Sequence, residues 1–146
     1  MPRKAFAPAL IGAGIIPFAA GTLAASAGWV QLPGLGVLSG WFDTYGLVIG
    51  AFMAGTWWGR ADPSGAGERP VLLAVSNIAA LALWAAAATT GGRARDLLLA
   101  LFFAALLAAE RAVGTSLNFA PPYRTARILV TASVVICLLG HAAVRS

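Results

Sequence analysis

Cys137 and His141 stand four residues apart in an apolar run, and Ser133 and Arg145 extend the same stripe. Side chains at i and i+4 share a helix face, which is a spacing metal ligands use. Two candidates do not fill the four positions of a structural zinc site, and a single histidine cannot supply both axial ligands of a bis-histidine haem within one chain. One axial ligand, or a site shared between subunits, stays open. The carboxylates nearest the apolar runs, Asp43, Asp96 and Glu110, each fall at the end of a run. A proton relay across a bilayer calls for one near the midplane. Ser76, Asn77 and a helix broken at Pro17 are the remaining groups that would line a polar path. No glycine-rich phosphate loop follows a strand, and no serine, histidine and acid fall in a catalytic arrangement. The expectation is a protein that is not an enzyme, with no catalytic residue, cofactor or metal.

The elements that carry these residues are membrane helices by composition. The 146 residues are 60% hydrophobic and 10% charged, with a mean hydropathy of +0.83, whereas soluble domains run near 25% charged. The net charge of +5 comes from basic residues scattered in loops between apolar segments, so they are read as topology signals and nucleic acid is not an expected partner. Cys137 is the lone cysteine, which excludes an internal disulfide.

Five apolar stretches predict an all-α integral membrane protein, a single domain built as a bundle of five transmembrane helices at about 5–27, 41–60, 71–89, 97–111 and 126–144. The first, with Arg3 and Lys4 before it and Ala25-Ser26-Ala27 at its end, mimics a secretory signal, but its apolar run is too long for one. Pro17 should kink it, and Ala13, Gly21 and Ala25 give it a small-residue face. Residues 28–40 carry Pro33 and four glycines and suit a re-entrant or interfacial loop. The second span is a rod of about 28 Å, with Trp41 at one end and Trp57 and Trp58 at the other, at headgroup level, and Asp43 and Arg60 complement its dipole. Gly46, Gly50 and Ala54 make one small-residue stripe and Gly55 and Gly59 a second, so the helix is expected to lie sandwiched between two neighbours.

On the third span, opened by Pro70, Asn77 shares a face with Trp84; its amide needs a partner on another helix or in the backbone, and it is expected to act as inter-helix glue. Asp96 is a plausible N-cap of the fourth, which looks the most lipid-exposed and closes with Glu110 and Arg111, an interfacial pair of which either member can reach Arg124 or Arg127. Arg3, Lys4, Arg60, Arg69, Arg111, Arg124 and Arg127 would lie on one side and Arg93, Arg95 and Arg145 on the other, which puts the amino terminus inside. The inner group Trp57, Trp58, Arg60, Arg111, Tyr123, Arg124 and Arg127 is the expected contact for phospholipid headgroups or a partner protein.

Three stretches, GIIPF at 14–18, YGLVIGAFMAGTWWG at 45–59 and PPYRTARILVTASVV at 121–135, resemble hallmark stretches of the transmembrane protein 69-like family. The resemblance implies a small multi-span protein of a bacterial inner membrane, with the mitochondrial inner membrane as the other setting, and implies no agreed activity. The chain departs from that pattern at Trp57, where a basic or polar residue is commoner. Two functions follow as expectations: an accessory subunit that packs against other integral membrane subunits, plausibly of a respiratory or photosynthetic complex, or a homo-oligomeric small-solute transporter or channel. No small-molecule substrate is identifiable from the residues.

Overall fold

A computed structural model describes residues 12–34, 36–57, 69–112 and 121–145, which form five α-helices and one small hairpin. Helix α1 spans Ile16–Ser26. Residues 12–13 are also helical, but a turn at Gly14-Ile15 separates them from α1, so the break precedes Pro17. Pro17 therefore sits in the first turn of α1, where its missing N–H costs nothing, and not in mid-helix as expected. The hydroxyl of Tyr45 donates to the Gly14 carbonyl at this break, 3.0 Å away.

The glycine-rich segment after α1 folds as a two-stranded antiparallel hairpin, β1 (Gln31–Leu32) and β2 (Gly36–Val37), with Gln31 opposite Val37 and Leu32 opposite Gly36. Gly28, Gly34 and Gly36 have φ of 80°, 76° and 82°, values only glycine adopts without cost. Helix α2 then starts directly at Leu38 and runs Leu38–Gly55, three residues earlier than the tryptophan that seemed to open it.

Helices α3 (Arg69–Thr89), α4 (Gly92–Ala112) and α5 (Pro121–Val144) complete the bundle. The helices close a ring in which α5 packs on α1 and α4, and α2 touches α1, α3 and α4. Successive helices run in opposite directions: the start of α2, the end of α3, the start of α4 and the end of α5 meet at the hairpin end, through Asp43, Ala87, Arg95, Asp96 and Arg145. Their other termini meet through Trp57, Leu72, Glu110 and Arg127.

Between the two ends the core is apolar, built from Phe18, Phe42, Leu83, Leu99, Phe103, Val134 and Leu138. Phe18 is its centre, with edge-on contacts to Phe42, Tyr45 and Phe103. Small residues admit these rings: a Cβ on Gly21 would collide with Phe42, and one on Gly46 would lie 3.0 Å from Leu99.

Helix α4 corrects a second expectation. It buries Asp96, Leu99, Ala100, Phe103, Leu106 and Glu110 along one face against three neighbours, so it is an interior element and not the most exposed one. Asp96 lies within the helix, which starts at Gly92, and therefore does not cap it. Two helices, Pro70–Thr89 and Tyr123–Val144, are long and apolar enough to cross a bilayer, with mean hydropathies of 2.1 and 2.0. Only 17% and 33% of their apolar windows are buried. Helices of this composition with so little burial point to membrane association rather than to the core of a soluble domain.

Candidate functional site

Charged side chains are gathered at both ends of the bundle and turned inward. At the hairpin end, α2 supplies Asp43, α4 supplies Arg95 and Asp96, α5 supplies His141, and Arg145 follows directly after the end of α5. Asp43 accepts from Arg145 Nη1 at 2.9 Å and from Arg95 Nη1 at 3.2 Å. Asp96, with no exposed surface, lies 2.9 Å from His141 Nδ1 and 3.4 Å from Arg145 Nη1. The imidazole also stacks on Phe42, with ring centroids 4.0 Å apart and planes within 18°.

Arg95 has a further role. Its Nη2 donates to the carbonyls of Ala87, at 2.9 Å, and Thr90, so the guanidinium closes the carboxyl end of α3, where a helix dipole favours a cation. Gly92, at φ 59°, turns the chain tightly enough for the first turn of α4 to reach back. Arg145 lies just past the apolar stretch of α5. Burial alone would lower its pKa, but the hydrogen bond to Asp43 and the charges of Asp43 and Asp96 outweigh it and hold the guanidinium above its usual value.

At the opposite end Glu110 is the hub. Arg127 grips it with both a 2.8 Å bond from Nε to Oε2 and a bond from Nη2 to Oε1, a fork geometry that matches a carboxylate. The indole Nε1 of Trp57 donates to Oε1 at 3.2 Å. All three side chains are buried, Trp57 to 1% exposure. This arrangement corrects the expected lipid or partner contact of Trp57 and Arg127: both side chains are buried, and the indole caps an ion pair from inside the bundle. Glu110 pairs with Arg127 and not with Arg124, which is exposed, as is Arg111. Tyr123 is half-buried at the start of α5. Trp58, Gly59 and Arg60 lie outside the described residues.

The small residues of α2 divide. Gly46, Gly50 and Ala54 are buried, and a Cβ on Gly50 would meet Leu83 at 3.0 Å and Phe102 at 3.3 Å. Gly55 is exposed, and among the described residues no neighbouring helix packs on it. The α2–α3 contact is made instead on the Ala54 side, where the buried Ser76 hydroxyl donates to the Ala54 carbonyl at 2.8 Å. Asn77 does not hold another helix: it is exposed and donates to the Leu73 carbonyl of its own α3, which satisfies its amide one turn back. The stripe on α5 is used at three levels: Ser133 bonds its own helix, the Cys137 carbonyl accepts from Thr22 of α1 at 3.0 Å, and His141 and Arg145 enter the ionic cluster.

The sequence leaves Glu110 able to reach Arg124 or Arg127, of which the structure selects Arg127; the hairpin-end cluster was not assembled from sequence, yet a signal for both levels exists. Asp43 and Trp57, Asp96 and Glu110, and Arg127 and His141 are each fourteen residues apart, the last two pairs on α4 and α5 and the first running from α2 to just past its end. Two heptads return a side chain to nearly the same face about 21 Å along the axis. Three such pairs therefore define two polar levels of one bundle.

Chemically, the Glu110 level is closed, since both carboxylate oxygens are occupied. The hairpin-end level is closed on one side, with His141 and Arg145 also lining a cavity against the hairpin. Among the described residues no group of three or more His, Cys, Asp or Glu side chains is placed to hold a metal ion. The family model described as "Protein of unknown function (DUF3429)" matches residues 1–143. No curated protein and no solved structure matches the chain.

Proposed function

The chain belongs to this DUF3429 family of proteins of unknown function, and from that premise we propose that it is a small multi-pass integral membrane protein acting as an accessory subunit that packs against other membrane proteins. The observation that carries this reading is the inversion of polarity across the bundle. Asp43, Asp96 and Glu110 are buried and paired with arginine or histidine, while Val48, Phe52, Ile78, Leu81, Trp84, Leu101, Leu129 and Ile136 stand exposed on four helices. Such a surface is matched to lipid and to apolar helix faces, and is too extensive for a water-soluble monomer.

The two polar levels fit a bilayer. A separation of about 21 Å puts each a few ångströms inside a hydrocarbon core of ~30 Å, where a charge has to be paired. The proposed topology has five spans and an inside amino terminus, so Glu110 and Arg127 lie at the inner level and the hairpin outside. The arginine count supports that orientation. The resemblance to the transmembrane protein 69-like family supports an inner-membrane location.

The apolar core between the levels weighs against conduction through one chain, because Phe18, Phe42, Leu99 and Phe103 fill the space a polar path would need. Phospholipids and unrelated membrane subunits are the proposed partners. Purifying the tagged protein in mild detergent tests the reading. Recovery of stoichiometric, unrelated membrane subunits is the expected result. A homo-oligomer alone would overturn it in favour of a transporter or channel assembled from copies.

A further inference from the structure

The hairpin-end cluster borders a cavity of about 320 Å³ that a packing role does not use. Its wall includes Trp29, Val30, Val37 and Leu38 from the hairpin side and His141 and Arg145 from α5. His141 is the informative group. The residue is 2% exposed, its ring stacked on one face by Phe42 and held at Nδ1 by Asp96, and Nε2 hydrogen-bonds no described residue. Nε2 is thus the one hydrogen-bonding atom the fixed ring can offer to an occupant of the cavity.

The surroundings select that occupant. Asp96 also receives Arg145, so it acts as an acceptor and Nδ1 of His141 carries the hydrogen between them. In the neutral ring Nε2 is then an acceptor, and its partner must be a donor. Two carboxylates, Asp43 and Asp96, balance two guanidiniums, Arg95 and Arg145, so the cluster has no charge left for an ionic ligand. The remaining wall is apolar apart from Ser39, and Trp29 brings an aromatic ring to it.

We propose that this cavity binds a neutral aromatic molecule bearing a hydroxyl group, of the hydroquinone class, whose hydroxyl donates to His141 Nε2. Asp96 is a positioning residue: it fixes the tautomer and orientation of the imidazole. The site is independent of whether the protein docks on partner subunits.

The test is equilibrium ultrafiltration of the purified protein in detergent with a decyl-substituted dimethoxybenzohydroquinone kept reduced by dithionite, and with the matching quinone. The hydroquinone is expected to bind saturably, one per chain. The quinone, which has the same body and no hydroxyl, is expected to bind about tenfold more weakly, the fold-change of one lost hydrogen bond. Val37→Trp, at an exposed hairpin position, fills the cavity while leaving every residue of the ionic cluster in place, and should abolish binding of both forms. His141→Phe should remove the preference for the reduced form. If that variant fails to fold, the reduced-against-oxidised comparison and Val37→Trp still decide. Absence of saturable binding, equal affinity for the two forms or undiminished binding to Val37→Trp would each overturn the proposal. So would equally tight binding of dioleoylglycerol, which would reassign the cavity to a lipid hydroxyl.

Discussion

Replacing Arg127 by methionine should be among the most damaging single changes in this protein. Arg127 supplies Glu110 with two of its three hydrogen bonds, one to each oxygen. Once it is gone, the carboxylate keeps only the Trp57 indole, on a residue 4% exposed. A buried charge left without its partner costs about 3–5 kcal/mol. For a chain of this length each kcal/mol moves Tm by about 2–4 °C, which gives a fall of roughly 6–20 °C. Glu110→Leu should cost a similar amount, because it strands the guanidinium. The double variant should cost less than the two singles combined, by about 2 kcal/mol or more, since no charge is then orphaned. Unfolding of detergent-solubilised protein by added dodecyl sulfate, followed by near-ultraviolet circular dichroism, measures all four corners of this cycle. Additivity to within about 0.5 kcal/mol would refute the claim that Glu110 and Arg127 act as one buried unit.

Three further outcomes are expected. Gly50→Leu should destabilise the bundle by at least about 2 kcal/mol through overpacking against Leu83 and Phe102, while Gly55→Leu, in open space, should stay within about 1 kcal/mol of the parent; the same dodecyl sulfate titration compares them. Asn77→Leu should leave stability within about 0.5 kcal/mol, since the amide bonds only its own helix, and a loss above about 1.5 kcal/mol would restore an inter-helix role. In a Cys137→Ala background, Arg93→Cys and Arg124→Cys, both at exposed positions, should react with an impermeant maleimide from opposite faces of oriented membrane vesicles; labelling from one face would contradict the proposed topology.

The order of elements was legible because it is one-dimensional. Runs of apolar residues punctuated by Pro33, Gly34, Gly91 and Gly92 mark where helices must stop, and the buried Gly46, Gly50 and Ala54 follow from residue size at helical spacing. The acids at helix ends were equally visible. What they do there was not.

Tertiary structure alone decided which face of each helix is interior. In a soluble helix the apolar stripe marks the buried side, but a helix suited to lipid is apolar all round, so α4 could hide its interior face behind a uniform sequence. The same ambiguity hid the burial of Trp57, whose indole suits a headgroup contact and a buried carboxylate equally well. Charge pairing was undetermined for a related reason. Asp43, Arg95, Asp96 and Arg145 all sit at helix ends on one side, and only the antiparallel packing brings α2, α4 and α5 close enough for each ion to find its partner. Composition thus determined that this chain has the makings of a membrane protein and where its helices run. The way those helices pack determined that Asp43, Asp96, Glu110 and Arg127 are internal and that the His141 imidazole stands beside a cavity.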